Sequence, residues 1–127
     1  MAIKALEKAL AIDPESKRLR LQYARFLAET DLPRSREQMV ILVEQYPEDP
    51  DMLFSLALAS QELDMFDEAE GLYKALIDRH QRIGDAHYQL GRMAENAGRN
   101  AKALDHYRLV DSGASQLAAT VRIADIL

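Results

Sequence analysis

Three histidines, His80, His87 and His106, are the side chains of this chain best suited to ligating a metal or moving a proton near neutral pH. Their spacing assembles no site. No two stand four residues apart, the separation that sets a pair of imidazoles on one face of a helix. No acid completes a ligand set around them. There is no cysteine, so thiolate ligands, thiol nucleophiles and disulfides are excluded together, while the compartment is left open. No nucleophile has a base beside it in sequence. The glycines (Gly71, Gly84, Gly91, Gly98, Gly113) are scattered and read as helix crossings and turns rather than a phosphate-binding loop. The expectation is a chain without catalytic residues, metal or cofactor, and His87 reads as a packing residue.

Charge narrows the partners. The formal net charge is −5, and residues 50–83 carry most of it. There seven acids (Asp51, Glu62, Asp64, Asp67, Glu68, Glu70, Asp78) face three bases (Lys74, Arg79, Arg82). A surface of that sign repels a phosphate backbone and argues against a nucleic-acid partner. The run from Glu62 to Glu70 reads as a solvated edge, with a basic protein as the alternative contact. The longest unbroken apolar run, Met39 to Val43, is far too short to insert into a membrane. Hydrophobic residues at 48% and charged residues at 29% suit a folded helical domain.

The elements that must position these residues recur with a period. Phe54-Ser-Leu-Ala-Leu-Ala is echoed by Tyr88-Gln-Leu-Gly-Arg-Met, and Asp67-Glu-Ala-Glu-Gly-Leu-Tyr73 by Ala101-Lys-Ala-Leu-Asp-His-Tyr107. Both echoes fall 34 residues apart. Pro14, Pro47, Gln81 and Ser115 close successive units on the same frame. Small residues recur where two helices must cross closely: Ala24, Ala57 and Gly91 in the first helix of each unit, Ala2, Ser35, Ala69 and Ala103 in the second. Four places after each of the latter stands a larger residue, Leu6, Met39, Tyr73 or Tyr107, on the same helical face.

Capping signals divide the chain into helices near 2–12, 17–29, 33–46, 50–63, 66–80, 84–97, 101–111 and 115–126. Asp49-Pro50 reads as an N-cap followed by proline at the first helical position, and Asp31 before Pro33 as a second start. Gly98 reads as a C-terminal cap. Every connection is short, which favours antiparallel neighbours.

A 34-residue helix–turn–helix unit with this small-residue pattern resembles the tetratricopeptide repeat. Glu7-Lys-Ala-Leu-Ala-Ile-Asp-Pro14 is similar to that family's usual ending of its second helix. The resemblance covers essentially the whole chain and implies an all-α fold, a right-handed α-solenoid of antiparallel hairpins. The frame divides the single array into the second helix of a truncated repeat (1–16), full repeats at 17–49, 50–83 and 84–117, and the start of a further or capping helix (118–127). The first full unit is one residue short at Thr30–Pro33 and has Ser35 where alanine is usual. With half-units at both ends, the chain reads as an excerpt from a longer bacterial solenoid. Leu117, Val121 and Ala124 form one apolar face and Ile123 and Leu127 another, which suggests self-association through bare ends.

In that family the first helices line a concave groove, and the resemblance implies a partner-binding row of Leu21, Phe54 and Tyr88, with Arg25, Leu58 and Arg92 one turn further on. Arg18, Gln61, Gln89, Glu95 and Asn96 border them. Phe54 and Tyr88 have a plainer reading as interhelical packing. The carboxylate-gripping mode of some chaperone-docking members is disfavoured: its positions hold Leu21, Arg25, Ser55, Asp85 and Gln89, of which one is basic and one would repel a carboxylate. The implied function is a scaffold or adaptor binding a peptide or protein in the groove. The alternative is a structural segment of a larger envelope or enzyme assembly with no ligand of its own. The resemblance leans toward a bacterial envelope location, without fixing one.

Overall fold

The computed structural model describes residues 3–127, and no strand occurs among them. They form α1 (Ile3–Ile12), α2 (Lys17–Thr30), α3 (Leu32–Gln45), α4 (Pro50–Glu62), α5 (Phe66–Asp78), α6 (Ile83–Asn96), α7 (Asn100–Arg108) and α8 (Gln116–Ile126). Every expected helix is present, and the ends differ from expectation by at most three residues. Ala2, a small residue of the repeat frame, lies outside the described residues. The architecture is a helical solenoid of hairpins. Two compact units divide it, residues 1–69 and 70–127, with the boundary inside α5.

In the first unit α1 packs on α2, α2 on α3, and α3 on α4. Leu6 and Leu10 of α1 join Tyr23 and Leu27 of α2 in one core cluster, covered at its edge by Ile3 and Leu19. The close crossing of α2 and α3 is made by Ala24 and Ser35, both buried. Ser35 Oγ donates to the Ala24 carbonyl at 2.7 Å. A hydroxyl therefore replaces the usual methyl without leaving a buried polar group unpaired.

The shortened turn of this unit has a simple cause. Asp31 ends α2 by donating its N–H to the Leu27 carbonyl at 2.6 Å and starts α3 by accepting the Arg34 N–H at 3.3 Å. One residue does the work of two. The next helix starts as expected, with Asp49 accepting the Asp51 N–H at 2.9 Å and Pro50 at the first position. Lys17 bonds the same Asp49 carboxylate at 2.5 Å and lies 4.7 Å from the centre of the Tyr46 ring. That contact ties the first turn of α2 to the turn before α4. It holds the Asp49 carboxyl below its ordinary pKa, chiefly through the Lys17 hydrogen bond.

Asp64 ends α4 with a left-handed backbone, φ +59°, while the Met65 N–H reaches back to the Ser60 carbonyl at 2.8 Å. Just beyond, Glu68 accepts Arg36 Nε at 3.0 Å, Arg36 Nη2 at 2.6 Å and Ser60 Oγ at 2.7 Å. The Arg36 hydrogen bond, with help from Ser60, holds its carboxyl below the ordinary range. So the acidic run is not uniformly a solvated edge: Glu68 is a buttress between α3 and α4.

In the second unit α6 packs on α7 and α7 on α8. Gly91 faces the Tyr107 ring so closely that an added Cβ would sit 2.6 Å from a ring carbon. The ring fills the space because glycine leaves it. Gly98, φ +77°, ends α6 with the Arg99 N–H on the Ala94 carbonyl at 2.8 Å. His80, φ +56°, ends α5 in the same way, with the Gln81 N–H on the Leu76 carbonyl at 2.9 Å. This reversal is why α5 stops at Asp78 rather than at residue 80. Gly71 is neither a crossing nor a turn, contrary to expectation: it lies within α5 and nothing stands within 4 Å of its missing side chain.

Candidate functional site

Small side chains on α2 and α4 leave a hollow of about 220 Å³ in the first unit. Its walls are Leu21, Ala24, Arg25 and Ala28 from α2 and Ser55, Leu58, Ala59 and Glu62 from α4. Leu32, Ser35 and Met39 of α3 complete it. Most of this lining is hydrocarbon, as a site for an apolar side chain requires. Two charges stand at it. Arg25 and Glu62 are both exposed, and neither has a hydrogen-bond or ion-pair partner among the described residues.

Of the six residues expected in the groove row, Leu21, Arg25 and Leu58 line this hollow together. Phe54 does not. It is 6% exposed, buried among the core residues of α4, and has almost no surface to offer a partner. The same face of α4 thus splits within one turn, with Leu58 half-exposed and Phe54 buried.

Tyr88 and Arg92 belong to the second unit and are described there alone. Arg92 is exposed, with Nη1 3.3 Å from Gln89 Oε1. Tyr88 is half-buried and tilts against Tyr107, ring centres 5.9 Å apart. It therefore serves packing as well as surface. Glu95, expected at the groove border, is committed elsewhere: it accepts Tyr107 Oη at 2.8 Å and is bridged by Arg122 of α8. The Arg122 hydrogen bond holds its carboxyl below the usual range, and burial together with Glu95 pushes the Tyr107 phenol up.

One pair escaped the linear reading of the sequence. His87 on α6 and His106 on α7 meet across the hairpin with Nδ1 atoms 3.1 Å apart. The two residues lie on either side of the α6–α7 turn, 11 positions before Gly98 and 8 after it, so approximate antiparallel register was the signal that could have found them. Desolvation holds both imidazoles below their ordinary pKa, and for His106 the neighbouring His87 adds to it.

Residues 61–118 match the family model described as Tetratricopeptide repeat. A search of the curated proteins finds no match. Three similar solved structures are of MamA. The first superposes with a TM-score of 0.77 at 22% identity, covering 98% of this chain and 74% of that one. The second has a TM-score of 0.72 at 22% identity over 86% of this chain and 60% of that one. The third, MamA from AMB-1, has a TM-score of 0.70 at 24% identity over 91% and 66%. This chain thus spans between about three fifths and three quarters of those proteins' lengths. At these identities the likeness establishes fold. No helix among the described residues is long and apolar enough to cross a membrane. The tetratricopeptide-repeat match spans residues 61–118, and the hairpin fold is shared with these solved structures over nearly the whole chain.

Proposed function

We propose that the chain is a protein-interaction scaffold whose hollow between α2 and α4 receives an apolar side chain of a peptide or protein partner. The observation that carries this reading is the pairing of an open apolar hollow with two unpartnered charges. Leu21 and Leu58 supply dispersion and desolvation, while Arg25 and Glu62 offer one cationic and one anionic handle for the flanking backbone or side chains. Tetratricopeptide repeats build interaction scaffolds, and nothing in this hollow resembles a catalytic constellation. Tyr88 and Arg92 are proposed as a second contact patch, on residue type and exposure.

A random peptide library displayed on phage, selected on the wild-type chain and counter-selected on Leu58→Glu, tests the hollow. The expected outcome is a family of peptides sharing one apolar anchor and losing at least about tenfold in affinity on the variant, since a carboxylate would be desolvated there. Circular dichroism checks that the variant keeps its helicity. Peptides that bind Leu58→Glu as well as wild type would place the contact elsewhere.

A further inference from the structure

We propose that His87 and His106 form a two-imidazole chelate for a late first-row divalent cation, of the class Zn²⁺, Ni²⁺ or Cu²⁺. Among the described residues no group of three or more His, Cys, Asp or Glu side chains is placed to hold a metal. The protein therefore supplies two ligands here, and solvent supplies the rest. What recommends the pair is its spacing. The Nδ1 atoms stand 3.1 Å apart, on helices whose antiparallel packing fixes the two backbones. Two imidazoles bound to one tetrahedral zinc at ~2.0–2.1 Å have nitrogens about 3.3–3.4 Å apart. The hairpin has already brought two nitrogens within a few tenths of an ångström of that requirement. Imidazole nitrogen is the donor this group of metals prefers.

The metal-free arrangement shows what must change. Ring centres 5.4 Å apart with Nδ1 atoms 3.1 Å apart mean that the rings point nearly head-on, one Nδ1–H donating to the other Nδ1. For both lone pairs to converge on a cation, each ring turns off that line by about 35–40°, given the metal–nitrogen distance. The donating ring also moves its proton from Nδ1 to Nε2 through solvent. From the neutral pair no net proton is released, and from a protonated pair the bound proton leaves as the metal enters. Both rings are half-buried, so the outer coordination positions remain open to water.

Charge around the pair is mixed. Asp105 of α7 favours a cation, while Lys102 of α7 and Lys74 of α5 oppose it. Lys74 is itself ion-paired to Glu70 at 2.6 Å, which softens that opposition. Depressed pKa values help, because imidazoles that are neutral at pH 7 meet the metal without proton competition.

The test titrates the full chain with ZnCl₂ or NiCl₂ by calorimetry and follows ¹⁵N-labelled histidine side chains by NMR during the zinc titration. One saturable site per chain is expected, with the Nδ1 signals of His87 and His106 moving together and that of His80 staying put. His106→Gln and His87→Gln each weaken binding about tenfold or more, as losing a ligand outweighs losing its support. His80→Gln leaves it unchanged. The proposal is overturned if no saturable binding occurs up to millimolar metal, if either glutamine variant keeps wild-type affinity, or if His80 alone responds. The NMR measurement uses the unaltered chain, so it decides the matter even where a glutamine variant fails to fold.

Discussion

Burial keeps the His87 and His106 imidazoles neutral in the fold, whereas in the unfolded chain each titrates near its ordinary value of about 6.5. The sign follows from which state binds more protons. With the folded pKa depressed, the unfolded chain takes up protons first as pH falls, so stability is intact above about pH 6.5 and declines below it. Protonating both rings also breaks their single N–H···N bond and sets two cations face to face. Thermal melts from pH 7.5 to pH 5 should therefore show a falling Tm, and His87→Gln/His106→Gln should flatten that slope. An unchanged slope in the double variant would mean that carboxylates carry the acid sensitivity. A second contrast at this scale is between two residues of α4 four places apart. Phe54→Ala empties a buried site and should cost about 3–5 kcal/mol, whereas Leu58→Ala, half-exposed at the hollow, should cost well under half of that in urea denaturation.

Glycine carries opposite meanings in two helices, and substitution separates them. In α6, Gly91→Ala gains helix propensity worth about 1 kcal/mol but drives a methyl to 2.6 Å from a buried Tyr107 ring. That ring cannot yield easily, because its hydroxyl is held by Glu95. Overpacking of this kind costs about 1–3 kcal/mol, so the net effect should be destabilising. In α5, Gly71→Ala meets open space and should raise stability by roughly 0.5–1 kcal/mol. Chemical denaturation of the two variants side by side is the measurement, and equal signs would contradict the packing account. The same elements indicate what could be read from the chain. The 34-residue echo placed Gly91, Tyr107 and the Asp49-Pro50 start because each answers a local rule of crossing distance or capping. It also put Asp64 where Gly98 stands one period later, and both adopt the left-handed cap. Three things stayed hidden because they depend on which neighbour a side chain meets. Phe54 and Leu58 share a helical face, yet packing buries one and opens the other. His87 and His106 meet only when α6 and α7 are laid antiparallel, and Glu68 loses its place among the solvated acids only when Arg36 arrives from α3.

At the scale of the whole molecule, a hairpin array is stabilised by contacts between adjacent elements, so its stability should be graded rather than uniform. Among the described residues α4 has seven buried side chains, from Met52 to Ser60, whereas α8 has one, Ala119. The hold on α8 comes from half-buried Ile123 and Ile126 packed on the Ala94–Tyr107 cluster, and from Arg122, which bridges Glu95. Its outer face, Leu117 and Val121, faces solvent and contributes nothing to that hold. Native-state hydrogen exchange should therefore find α8 among the first helices to open and α4 among the last. Arg122→Ala should speed exchange in α8 and loosen Glu95 from Tyr107, while leaving the amides of α2 and α3 unchanged. If all the helices instead exchanged at one common rate, opening would be a single global event, and the contacts along the array would be far more cooperative than nearest-neighbour packing of these side chains accounts for.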